Sequence, residues 1–168
     1  MKSRQPPAAG GRLPTVVAIA LGSNLGDRRA HLDHAISRLK SILTAVRVSS
    51  TIETDPVGSS ASDQPRFLNA ALVGLFDGTP RVLLDALMLI EQERGRERPL
   101  PGAARTLDLD LVLFGDRIVD DAGLAVPHPR FRERAFVLQP LTEIAPDLID
   151  PITGETVGEL WGKLETKN

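Results

Sequence analysis

The sequence predicts an α+β domain built from a split β-α-β unit taken twice, with a mostly antiparallel sheet. Three observations predict it. Apolar runs at 15–21, 45–54, 67–76 and 105–114 read as strands. Two stretches, 28–43 and 80–94, repeat apolar residues at three and four positions and read as helices. Their order is strand, helix, strand, strand, helix, strand, followed by a tail of short pieces. The expectation is helices on one sheet face, with functional loops and tail on the other.

Thr15 to Leu21 carries Val16, Val17 and Ile19 and ends in Gly22-Ser23-Asn24-Leu25-Gly26-Asp27. The glycines permit a tight turn, and Asp27 or Asn24 can cap the next helix. Leu32, Ala35, Ile36, Leu39 and Leu43 form that helix's apolar face, with His31 and His34 expected to be solvated. Val46, Val48, Ser50 and Ile52 share one face of a second strand through Thr54. Residues 55–65, with Pro56, Gly58 and three serines, read as a loop long enough to be functional. After the strand 67–76, Thr79 can cap a helix with Pro80 at its first position. It carries Glu91 near its end and stops near Gly95. Residues 93–105 are broken by glycine and proline and hold Arg94, Arg96, Arg98 and Arg105. Past the strand 105–114, two short extended pieces lead to Arg130, Arg132 and Arg134, then to helical segments near 141–148 and 157–164.

Length and composition narrow the class. A chain of 168 residues fits one domain, placed at 15–165, with 1–14 as a disordered lead-in. A net charge of −2 lacks the basic excess of a nucleic-acid binder. The absence of cysteine excludes thiol catalysis and thiolate metal sites. No apolar run reaches the length of a membrane span, so the expected compartment is cytoplasmic. A monomer is the default.

The chemistry concentrates on Arg105-Thr106-Leu107-Asp108-Leu109-Asp110. Side chains alternate along a strand, so Asp108 and Asp110 share a face, about 6 to 7 Å apart. Neighbouring carboxylates call for a cation, and magnesium takes oxygen ligands. Arginine's planar fork matches phosphate oxygens. Acids flanked by arginines therefore suit a magnesium-dependent reaction on a phosphate chain. No Gly-Lys-Ser/Thr phosphate loop is present, and no nucleophile elbow. A metal-dependent nuclease or phosphatase uses similar groups, and a small-molecule binding module of the same topology needs no acid pair.

Arg105-Thr106-Leu107-Asp108-Leu109-Asp110 followed by Leu113-Phe114-Gly115 resembles the signature of the 6-hydroxymethyl-7,8-dihydropterin pyrophosphokinase family. The resemblance continues in Leu21-Gly22-Ser23-Asn24-Leu25-Gly26, in Asp63-Gln64-Pro65 with Phe67-Leu68-Asn69-Ala70, and in Gly95-Arg96. It extends through Val126-Pro127-His128, Arg134 and Phe136, spanning roughly residues 16 to 150. It implies a ferredoxin-like fold and transfer of pyrophosphate from ATP to the pterin hydroxymethyl group, releasing AMP. Asp108 and Asp110 would hold two magnesium ions. Arg96 and Arg105 would grip the phosphates, and His128, Arg134 and Glu91 would contact the nucleotide. Phe67 and Phe136 would flank the pterin, with Asn69 and the Thr54 to Val57 backbone on its polar edge. The family's loop aromatic is missing from Pro101-Gly102-Ala103-Ala104, which predicts weaker loop closure over ATP.

Overall fold

The computed structural model describes residues 13–57, 63–95 and 104–168. The N-terminal lead-in up to 12, the serine-rich part of the 55–65 loop and the loop carrying Arg96 and Arg98 lie outside them.

The elements follow the expected order: β1 (Thr15–Ser23), α1 (Arg28–Ile42), β2 (Thr44–Val48), β3 (Ile52–Thr54), β4 (Phe67–Phe76), α2 (Pro80–Glu93) and β5 (Asp108–Phe114). A small hairpin of β6 (Val119–Asp121) and β7 (Leu124–Val126) leads to a 3₁₀ turn at Phe131–Glu133, α3 (Ala135–Ile144) and α4 (Val157–Lys167). The sheet order is β2-β4-β1-β5 with antiparallel pairing throughout, and β3 extends the β2 edge along β4. This is the arrangement of a doubled split β-α-β unit.

Helix starts obey local chemistry. Asp27 caps α1 by accepting the Ala30 N–H, and Thr79 caps α2 by accepting the Val82 N–H, with Pro80 at the first position. The second strand, expected as one piece, is two. Between them the Ser49 hydroxyl accepts the Ala71 N–H at 2.8 Å, so a side chain replaces a carbonyl in the ladder.

Helices cover both sheet faces, not one. Val17, Ile19, Leu21, Leu72, Leu107, Leu109 and Leu111 pack beneath α1 and α2. Ala18, Ala20, Ala71, Val73 and Val112 pack against Phe131, α3 and α4. The sequence carries the reason: β1 and β4 are apolar at successive positions, which marks strands buried on both sides. The small side chains of Ala18, Ala20 and Ala71 let α3 approach closely. What α3 leaves uncovered, toward Gly22, Asn69, Asp108 and Asp110, is the cleft described next.

Candidate active site

One cleft of about 530 Å³ opens where β1, β3, β4 and β5 run out beyond the N-terminus of α3. Its lining includes Thr54, Val57, Phe67, Asn69, Arg105, Asp108, Asp110, Arg134 and Phe136, so residues far apart in sequence share one surface.

At one end sit two aromatic side chains and an amide. Phe67 comes from the start of β4 and Phe136 from the first turn of α3. Asn69 is buried, and its Nδ2 donates to Thr54 Oγ1 at 2.6 Å. Its Oδ1 lies over Gly22, where a Cβ would stand 2.8 Å away. A side chain at 22 would therefore push the amide from this position. Val57 is exposed at the rim.

At the other end stand the acids. Asp108 and Asp110 alternate with buried Leu109 and face the cleft, as strand geometry requires. Their charge is met by arginines: Arg105 Nη1 lies 2.7 Å from Asp108 Oδ2, and Arg134 Nη1 lies 3.7 Å from Asp110 Oδ2. The Arg134 guanidinium also lies over the Phe136 ring, 5.5 Å from its centroid. The start of α3 adds backbone N–H groups with no side-chain cap, a favourable surface for anions. Arg130 and Glu133 line the same rim and pair with each other at 2.9 Å.

His128 and Glu91 are not among the residues lining the cleft. His128 stands just behind it. Burial, with the Arg134 and Arg130 charges and against the pull of Asp108, lowers its pKa to about 4. The imidazole is therefore neutral near pH 7. Its Nδ1 accepts the Arg130 N–H at 3.1 Å, which leaves the proton on Nε2 as a donor. Glu91 is buried at the end of α2, where its carboxylate accepts the Leu109 N–H at 3.4 Å. Because β5 is an edge strand, that contact serves a backbone donor left open by the sheet. Arg96 lies outside the described residues.

Asn24 belongs to the site more deeply than its expected capping role. It is fully buried and joins three loops. Its Nδ2 donates to Gln64 Oε1 at 3.1 Å and to the Pro65 carbonyl at 3.2 Å. Its Oδ1 accepts the Arg105 N–H at 2.7 Å, and its own N–H donates to the Arg105 carbonyl at 3.0 Å. The signal in sequence was a polar residue between two glycines, but only folding brings Gln64 and Arg105 to it. The two histidines of α1 are also partnered. His34 pairs with Glu93, and His31 accepts from Arg94, which fastens α1 to the end of α2.

No group of three or more histidine, cysteine or acidic side chains suited to a metal occurs among the described residues. A two-carboxylate set fits magnesium, which keeps several waters and shares its remaining positions with phosphates. It does not fit a closed structural metal site.

An antiparallel α+β sheet carrying paired acids, arginines and an aromatic slot in one cleft has the parts of a transferase acting on a phosphate chain. The family model for 7,8-dihydro-6-hydroxymethylpterin-pyrophosphokinase matches residues 18–146, and the chain belongs to that family. Among curated relatives, the 2-amino-4-hydroxy-6-hydroxymethyldihydropteridine pyrophosphokinase of Pseudomonas aeruginosa is 44% identical over 134 residues, covering 79% of this chain and 82% of that one. Its Bacillus subtilis counterpart is 45% identical over 131 residues, 77% of each chain. The fold matches that of a Plasmodium falciparum HPPK-DHPS triple mutant with a TM-score of 0.73 at 15% identity. That alignment covers 95% of this chain and 46% of the other.

Proposed function

We propose that the chain transfers the β,γ-pyrophosphate of ATP to the hydroxymethyl oxygen of 6-hydroxymethyl-7,8-dihydropterin, releasing AMP, in folate biosynthesis. The observation that carries this reading is the single cleft with two chemistries. A flat heterocycle is served at the Phe67, Phe136 and Asn69 end, and a polyphosphate at the Asp108, Asp110, Arg105 and Arg134 end.

The geometry supports one role for each group. Phe67 and Phe136 give faces for stacking, and Asn69 offers a donor and an acceptor to the ring's polar edge. Its tie to Thr54 fixes the amide before the ligand arrives. Asp108 and Asp110 would hold two magnesium ions, which would neutralise phosphate charge and polarise the reacting phosphorus. Arg105 and Arg134 then turn from carboxylate to phosphate oxygens, keeping a charge-assisted partner on each side of the exchange. The first turn of α3 adds backbone donors for phosphate oxygens. In the reaction the hydroxymethyl oxygen bonds to the β-phosphorus, the bond from that phosphorus to the α-bridging oxygen breaks, and the hydroxyl proton is released. AMP leaves with the bridging oxygen. Stacking and the arginine grip together hold the two reactants in line, which supplies much of the acceleration in a reaction of this kind.

Incubation with ATP, magnesium and the dihydropterin, followed by separation of the nucleotides, tests the proposal. AMP formed only when the pterin is present is the expected result. ADP, inorganic phosphate or pterin-independent AMP overturns it.

A further inference from the structure

Asp150 is, besides Glu91, a buried acid that takes no part in the cleft. It lies four residues past the segment matched by the family model, between α3 and α4, and is fully buried. A buried carboxylate is costly unless its oxygens are satisfied. Here they are. Arg132 Nε donates to Oδ2 at 2.5 Å and Arg132 Nη2 to Oδ1 at 2.9 Å. The Ile152 N–H reaches Oδ1 at 3.0 Å and the Thr153 hydroxyl reaches Oδ2 at 2.8 Å. Burial pushes the Asp150 carboxyl up, but the hydrogen bonds from Arg132, Ile152 and Thr153 together hold it below its ordinary value.

What this clamp grips is the short turn that delivers Arg134. Residues 131–133 form one 3₁₀ turn, and Arg134 follows as the N-cap of α3. Two side chains of that turn face away from the cleft: Phe131, fully buried, and Arg132, whose guanidinium lies 4.8 Å from the Phe131 ring centroid and is held by Asp150. The neighbours that face the cleft are Arg130, Glu133 and Arg134. The Arg130–Glu133 pair is largely exposed and anchors the turn weakly. The Arg134 N–H bonds back to the Phe131 carbonyl at 3.2 Å, so a shift of the turn is passed to Arg134.

We propose that Asp150 is a positioning residue for phosphate binding. By holding Arg132 on the far side of the turn it aims Arg134 into the cleft. This rests on the proposed function for its choice of ligand, magnesium-ATP, though not for the placement of Arg134 itself.

The test is a double-substitution cycle read by calorimetric binding of magnesium-ATP. Asp150→Asn should weaken binding about tenfold, and Arg134→Ala at least as much. The double variant should bind no more weakly than Arg134→Ala, because Asp150 acts through Arg134. Parent-like binding by Asp150→Asn, or losses that add, overturns the proposal; a purely structural role gives additive losses. Thr153→Val, which removes one of the four donors and leaves the charge pair, repeats the cycle if Asp150→Asn does not fold. Amide hydrogen exchange without nucleotide reads the same placement. Faster exchange at Val137 and Leu138, whose N–H groups bond to the Arg134 carbonyl, is expected in Asp150→Asn, with β1 and β4 unchanged. Unchanged exchange at those two amides counts against the clamp. A parent chain that binds no magnesium-ATP refutes the proposed function instead, leaving exchange to decide on Asp150.

Discussion

Two arginine–aspartate pairs in this molecule have the same chemistry and opposite designs. Arg105 and Asp108 lie three residues apart at the mouth of the cleft, joined through Nη1 at 2.7 Å, with side chains 28% and 18% exposed. Arg132 and Asp150 lie eighteen apart, joined by two parallel contacts, with the aspartate fully buried and two further donors on its oxygens. The first pair is open to exchange: a phosphate can take the arginine and a metal ion the carboxylate. The second is closed, because moving Arg132 leaves the buried Asp150 charge without its cation. Surroundings, not residue type, separate a site from a clamp.

Replacing Asp108 or Asp110 by Asn should break that comparison most sharply. AMP formation should fall by about 10³-fold or more if, as proposed, these charges hold the metal at the reacting phosphates. Thermal stability should move little, because a half-open ion pair contributes roughly 0–1 kcal/mol. Parent-like turnover in either variant would remove the metal-binding role. Asp150→Asn should show the reverse balance, with the larger loss of stability.

Arg105→Ala comes next. Its kcat should drop by about 10²-fold, as when one charge-stabilising donor is removed from a transition state. Without nucleotide, the same variant should bind magnesium more tightly than the parent, because Asp108 has lost its internal cation. Calorimetry with the metal alone reads this second effect, and unchanged or weaker binding would show that the pair does not compete with magnesium.

Asn24→Ala should have a smaller effect on rate with a measurable cost to folding. It leaves Arg105 chemically intact but removes the side-chain contacts to the Arg105 N–H, Gln64 and Pro65. The expected stability loss is roughly 1–3 kcal/mol, from polar groups left unpaired. KM should rise for both substrates, since the asparagine ties the loops of both ends of the cleft. A rise confined to one substrate would show that the tie serves only that end.

The smallest effect is set by His128. Its ring should titrate near pH 4 in the folded chain, below the ordinary 6.5, and NMR of the imidazole carbons checks this. A lowered folded pKa means that the unfolded chain binds the extra proton first as pH falls. The contribution of this group to stability is therefore complete above about 6.5 and lost as pH falls from there towards 4. His128→Gln should flatten that part of the stability profile. A midpoint near 6.5 in the parent would show that burial and the Arg134 and Arg130 charges do not together hold the ring neutral.

Much of this was legible because it is local. The alternation of Leu107, Asp108, Leu109 and Asp110 fixes which side chains share a face. The caps at Asp27 and Thr79 fix where two helices begin, and the order of apolar runs fixes the split β-α-β repeat. Both-sided burial of β1 and β4 was also written in their successive apolar residues, Val16 to Leu21 and Ala70 to Phe76, although the expected one-sided helical cover passed over it. Other features depend on partners that no short stretch contains. Asn24 becomes a hub only when Gln64 and Arg105 arrive, 40 and 81 positions away. Glu91 meets the Leu109 N–H on the open edge of β5 only because α2 packs there. Asp150 looks like an ordinary loop acid until the tail folds back over the sheet. The sequence by itself determined the acid pair, the arginines, the aromatics and the fold that carries them, because periodicity and caps act over a few residues. The tertiary structure alone decided which charges stay exchangeable and which are locked, because that depends on burial and on donors brought from distant parts of the chain.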